Sequence, residues 1–259
     1  MSEIPPELHK AVQQVAATET LLSCWDFDGT LAPIVADPEA ARPLPGTVEL
    51  LQELAALPDT HVALLSGRAR ADLARLSQVE PPIELVGCHG AEFPPRLVTS
   101  DLTEQAELLQ ELVTEVTELA DGVEGVLLEV KPVSVAVHVR NVSDRDLATD
   151  LTERVLSSPG TRSGVQVTTG KEVVELSVAE GNKGEAIDIL RGDIGATAVT
   201  FMGDDVTDEH GFAVLEPGDL GVKVGFGETA ARYHVAEPED VQMLLRLLIS
   251  ERGSSAKDR

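Results

Sequence analysis

Cysteine is almost missing from this chain: Cys24 and Cys88 are the only two in 259 residues, and they form no C-x-x-C pair. A disulfide framework is therefore excluded, and a reducing cytoplasm is the expected compartment. Basic residues are scarce as well. Twenty Lys and Arg stand against 45 Asp and Glu, a formal net charge of -25. Nucleic acid and anionic membrane are excluded as main partners, because both demand basic surface. No apolar run approaches the ~18 residues that a membrane span needs. The opening Met-Ser-Glu-Ile-Pro-Pro has neither a basic n-region nor an apolar h-region, so no secretory signal is read. The six histidines show no HExxH or other metal spacing. Internal repeats and low-complexity segments are also lacking. What is present is a 42% hydrophobic content, ordinary for a globular protein. The length fits one large domain or two modest ones. The acidity reads as a solubilising surface, or else as the mark of a high-salt habitat. A monomer is expected.

The first half alternates strands with helices. A helix is expected at 7–18, strands at 20–27, 61–65 and 84–88, and helices at 46–57 and after Arg68. This spacing implies a parallel sheet with right-handed crossovers. From about Ser100 the rhythm changes to a long acidic helix at 101–121, strands at 126–131 and 134–140, a helix at 144–156, and strands at 164–169 and 173–178. That block reads as a separate α+β unit inserted into the parallel domain. The first rhythm then returns, with helices at 183–191, 207–215 and 238–251, strands at 197–202 and 220–224, and a disordered tail from Gly253.

Four segments carry chemistry. Asp26-Phe27-Asp28-Gly29-Thr30 closes the first strand. Two carboxylates one residue apart, with the chain turning between them, can reach one site, where one attacks and the other moves a proton. The competing reading is a plain Asp/Gly turn. Gly203-Asp204-Asp205-Val206-Thr207-Asp208-Glu209 follows another apolar strand. Its clustered oxygens suit Mg2+, which keeps waters and substrate phosphate for its remaining positions; a helix cap with an acidic first turn is the alternative. Ser66-Gly67-Arg68 offers a hydroxyl and free amides at a helix start, a weak anion site taken alone. Lys183 is of interest only through its place at the start of a helix. Together they supply a nucleophile, an acid/base, a metal, a hydroxyl and a cation, the parts that balance charge on a transferring phosphoryl group. Gly225-Phe226-Gly227-Glu228-Thr229-Ala230 fits a G-x-G-x-x-A dinucleotide pattern, but it lies late and no helix with a returning strand follows.

In this order the motifs resemble those of the haloacid dehalogenase superfamily. Within it the chain is most similar to trehalose-6-phosphate phosphatases, through DFDGTLAPI at 26–34, LLSGR at 64–68, GCHGAEF at 87–93, EVKPVSVAVHVR at 129–140, GKEVVEL at 170–176, NKGEA at 182–186 and GDDVTDEHGF at 203–212. It departs from the family where Glu175 is followed by Leu176-Ser177-Val178 instead of Val-Arg-Pro. The resemblance implies an α/β fold: a Rossmann-like parallel-sheet core, 1–99 and 179–259, with an inserted α+β cap domain, 100–178, hinged near 95–102 and 178–182. It implies that Asp26 is the phosphorylated nucleophile and Asp28 the general acid/base, with Ser66 and Lys183 on the phosphate. Mg2+ would sit on Asp26, Asp204 and the main-chain carbonyl of Asp28. Arg68 and His89 would touch substrate, a structural histidine being the alternative for His89 and for His138. The cap would read the sugar through Glu129, Lys131, Lys171 and Glu175. The implied reaction is hydrolysis of trehalose 6-phosphate. A phosphatase of a sucrose, mannosyl-glycerate or pseudo-disaccharide phosphate, and a catalytically silent sugar-phosphate sensor, remain the competing readings.

Overall fold

The structure is a computed structural model that describes residues 4–94, 96, 100–170, 172–179 and 181–255, with the side chains of 100–102 left aside. The chain divides into two compact units, residues 1–97 with 182–259, and residues 98–181. Lys171 lies outside the described residues, as do 95, 97–99 and 180 within the expected hinge segments and 256–259 of the tail.

The first unit is built on a parallel six-stranded sheet. In chain order its strands are β1 (Leu21–Trp25), β2 (Thr60–Leu65), β3 (Glu84–Val86), β8 (Ala198–Gly203), β9 (Leu220–Val224) and β10 (Tyr233–Val235), arranged as β10-β9-β8-β1-β2-β3. Strand β1 is short and wholly apolar apart from Ser23, and every residue in it is buried. It pairs in parallel with β2 on one side and β8 on the other, Cys24 lying opposite both Ala63 and Phe201. Helices α1 (Pro6–Ala16), α2 (Thr47–Ala55), α3 (Arg70–Ser77) and α8 (Pro238–Ser255) contribute to one apolar cluster with Leu21 and Trp25 of β1. The alternate residues Leu22 and Cys24 are equally buried, and α6 (Lys183–Ile194) packs against β1 through the face that holds Ala186, Ile187 and Leu190. Cover on both faces is what a parallel sheet requires, and it explains why its strands read as continuous apolar runs rather than alternating ones. The strand order reverses at β1. Beyond the carboxyl ends of strands flanking such a point lies the crevice where open α/β sheets take their ligands.

The second unit carries an antiparallel sheet, β4 (Leu127–Lys131), β5 (Ser134–His138), β6 (Gln166–Gly170) and β7 (Val173–Ser177), in the order β4-β5-β7-β6. Val135, Val137, Val174 and Leu176 bury one face against Leu112 and Val116 of α4 (Ser100–Ala120) and Leu151 and Val155 of α5 (Arg145–Ser157). The other face is mostly polar, with Glu129, Lys131, Ser134, His138 and Glu175 beside Leu127, Ala136 and Val173.

Three expectations change. Strand β10 was not anticipated, since three residues carry no period. The helix expected at 207–215 is a 3-10 turn at Val206–Asp208 followed by a short α7 (Glu209–Ala213). The tail does not fray at Gly253: α8 continues to Ser255 because Arg252, fully buried, anchors it.

Candidate active site

The DFDGT turn forms where β1 runs out of partners. The Asp26 amide still donates to the Met202 carbonyl at 2.8 Å, while Leu31 and Ala32 donate back to Phe27 and close the turn. Gly29 sits at φ +82°, and a Cβ there would come within 2.0 Å of the Asp204 carboxylate, so only glycine lets the two acidic loops approach. Asp26 is 5% exposed. Lys183, equally buried, donates from Nζ to Asp26 Oδ1 at 2.6 Å and to Asp208 Oδ1 at 2.5 Å. It holds this position as the first residue of α6, whose start is fixed by Asn182 accepting from the Gly184 and Glu185 amides.

Ser66 and Arg68 leave β2 side by side with this turn. The guanidinium of Arg68 grips Asp28 with two bonds, Nε to Oδ2 at 2.6 Å and Nη2 to Oδ1 at 2.7 Å, and lies over the ring of buried Phe27. The Arg68 amide donates to Ser66 Oγ at 3.2 Å. His89 is half-buried; burial, then the Lys183 charge, pull its pKa below the ordinary imidazole value. Asp26, Asp28, Ser66, Arg68, His89, Lys183 and Asp204 all line one cavity of about 340 Å³ in the first unit.

The electrostatics of this cavity are unbalanced. Carboxylate oxygens of Asp26, Asp204 and Asp208 lie within 4.8 Å of one another. Asp208 is satisfied by Lys183 on one oxygen and by the Asp205 amide on the other, at 2.9 Å. Asp26 Oδ2 and Asp204 Oδ1 are buried without a hydrogen-bond partner among the described residues. Two influences compete at Asp26. Burial, helped by the Asp208 and Asp204 charges, outweighs the Lys183 ammonium and pushes the carboxyl up to about 8. Burial, then Asp208 and Asp205, raise Asp204 to about 6. Two orphaned buried oxygens and a surplus of negative charge fit a hard divalent cation.

Three contributors were not given roles from the sequence. Asp208, expected at most to cap a helix start, does cap the 206–208 turn through the Asp205 amide and is in addition the second anchor of Lys183. Lys223 on β9 is 7% exposed, and its Nζ donates to the main-chain carbonyls of Asp204 at 2.5 Å and Asp205 at 3.2 Å, bracing the acidic loop. A lone lysine inside the apolar run LGVKV was the available signal. The third, Glu92, accepts from the Arg70 amide at the start of α3.

In the second unit Glu129, Ala136 and Glu175 are cross-strand neighbours, so both glutamates share the open face with Lys131. Glu175 Oε1 accepts from Lys131 Nζ at 3.0 Å and from the buried Ser134 hydroxyl at 2.6 Å. Glu129 meets His138 at 3.0 Å. These contacts are partly exposed and contribute little to stability. Together they leave a polar, hydrogen-bonding surface.

A model of the trehalose-phosphatase family matches residues 24–240. The chain is 37% identical over 242 residues to a trehalose-phosphate phosphatase of Mycobacterium leprae, covering 85% of this chain and 54% of that one. With the trehalose-phosphate phosphatase of Mycobacterium marinum it shares 34% identity over 267 residues, 97% of this chain and 67% of the other. It thus spans between about half and two thirds of the length of these relatives. Among solved structures, trehalose-6-phosphate phosphatase from Aspergillus fumigatus superposes with a TM-score of 0.63 at 28% identity, covering 94% of this chain and 96% of that one. The acidic cavity at the reversal point of the sheet and a family match running through both units agree: this chain belongs to the trehalose-phosphatase family.

Proposed function

We propose that the chain is a Mg2+-dependent phosphoric monoester hydrolase that converts trehalose 6-phosphate to trehalose and inorganic phosphate in the cytoplasm. The observation that carries this reading is the state of Asp26: Lys183 holds one oxygen, the other has no partner among the described residues, and the residue lines an open cavity. Asp26 attacks phosphorus as the bond to the sugar oxygen breaks, and Asp28, protonated once Arg68 turns from it to the substrate, gives its proton to that departing oxygen. A water then yields a proton to Asp28 and attacks the aspartyl-phosphate, releasing phosphate and restoring Asp26. Asp26, Asp204 and the Asp28 carbonyl would hold Mg2+, which supplies positive charge against the phosphoryl oxygens. Ser66 and Lys183 bind those oxygens, and Arg68 and His89 complete the wall on the substrate side. Sugar recognition falls to the second unit, through Glu129, Lys131 and Glu175 on the open sheet face, with Lys171 as the family likeness implies.

Phosphate release with Mg2+ from a panel of sugar phosphates tests this. Trehalose 6-phosphate should be turned over fastest, and chelation should stop the reaction. A preference for sucrose or mannosyl-glycerate phosphate would reassign the sugar. Silence on every substrate would leave a sugar-phosphate sensor.

A further inference from the structure

We infer that Glu92 is a positioning residue for the phosphate-facing loop 66–70, acting as a distant cap on helix α3; this rests on the phosphatase reading of the cavity above. Helix α3 begins after Ala69, which has no side chain able to accept from the exposed first-turn amides. The acceptor comes from elsewhere in the chain. Glu92 Oε2 receives the Arg70 amide at 2.6 Å. Glu92 is itself fixed, because its amide and carbonyl both pair with Gly87, at 3.1 and 2.9 Å. The same loop reaches the cavity-lining residues directly: Cys88 donates to the Arg68 carbonyl and His89 to the Ser66 carbonyl, each at 2.8 Å. The His89 ring packs into the space that Gly67 leaves, where a Cβ would come within 2.4 Å of it.

Making these contacts bends the loop into a sparsely populated backbone. Cys88 and His89 lie in the left-handed region at φ 50° and 55°, although neither is glycine. Such a conformation persists only where the surroundings over-determine it, and it concentrates at functional sites. Segment 87–92 therefore serves as a template. Its main chain sets the carbonyls of Ser66 and Arg68, and its terminal carboxylate sets the amide of Arg70, so the Ser66 hydroxyl and the Arg68 guanidinium are held in place before an anion arrives. Preorganisation of this kind shows as ligand affinity.

The test uses inorganic phosphate as the probe, titrated calorimetrically into the full chain with Mg2+ present. E92L removes the acceptor at similar volume, whereas E92Q keeps an oxygen that can receive the Arg70 amide. Phosphate should bind E92L about fivefold more weakly or worse, with E92Q within about twofold of wild type. If E92L alone does not fold, E92L combined with A69D, which gives α3 a local cap on its later amides, carries the same comparison. Wild-type phosphate affinity in the leucine variant, or an equal loss in E92Q, would overturn the assignment. Failure of the unaltered chain to bind phosphate would remove the phosphatase reading, and this proposal with it.

Discussion

Replacing Asp26 with asparagine leaves Lys183 its second anchor on Asp208, at 2.5 Å, so the buried lysine keeps a counter-charge and the fold survives. What disappears is the oxygen that the proposed reaction turns into an acyl phosphate. Turnover of D26N should fall by about a thousandfold or more while the circular dichroism spectrum stays unchanged; a variant keeping a tenth of the activity would sink the nucleophile assignment. A second residue-scale test concerns Glu175. The Ser134 hydroxyl, and to a lesser degree Lys131, hold its carboxyl below the ordinary value of 4.5, against the opposing effect of partial burial. A depressed carboxyl contributes stability above its ordinary pKa and loses that contribution as pH falls through the lowered value. S134A should therefore move the Glu175 titration upward, which carbon-detected NMR of the carboxyl would register. An unmoved or falling pKa would show that Ser134 does not set it.

At the scale of elements, helix α8 is tied to the base of the core by Arg252. Its guanidinium donates to Thr60 Oγ1 at 3.0 Å and to the main-chain carbonyls of Ala16, Thr18, Glu19 and Asp59, gathering the ends of α1 and the α2–β2 connection. R252A strands these buried acceptors and should cost about 3–5 kcal/mol, lowering Tm by roughly 10 °C. R252K, with a compact head group, should recover only part of the loss. A Tm within about 1 °C of wild type for R252A would refute the clamp. This arginine also shows where sequence reading stops. The strand ends that bear Asp26, Ser66 and Asp204 were legible because buried parallel strands are continuous apolar runs that break abruptly at polar residues. Arg252 was not, because an arginine near a helix end reads as surface when its acceptors are carbonyls some 190 to 240 residues away. Likewise Lys131 and Glu129 were readable as one face from their spacing of two. The choice of Glu175 for Lys131 and His138 for Glu129 depends on the β4-β5-β7 register, which no local pattern fixes.

For the molecule as a whole, charge sets the terms. A net -25 spread over 259 residues makes the folded chain repel itself. Added salt screens that repulsion over about 3–30 Å depending on concentration, so Tm should rise between about 10 mM and about 0.5 M sodium chloride. Calorimetric scans showing a flat or falling Tm would mean that the acidic groups are already offset locally.

The insertion of residues 98–181 between the two halves of the parallel sheet has a consequence for biosynthesis. Strand β1 finds its neighbour β8 only across 177 residues, as the Ser23–Thr200 hydroxyl contact records. Until that stretch has left the ribosome, the central strand has an open edge and Asp26 lacks Lys183. The inserted unit is contiguous and closes its own four strands without waiting for either half. Local contacts form sooner than distant ones, and units fold as they are completed. Pulse-labelled hydrogen exchange during refolding should therefore find the amides of β5 and β7 protected before those of β1 and β8, so that Asp26 is enclosed after the inserted unit has formed.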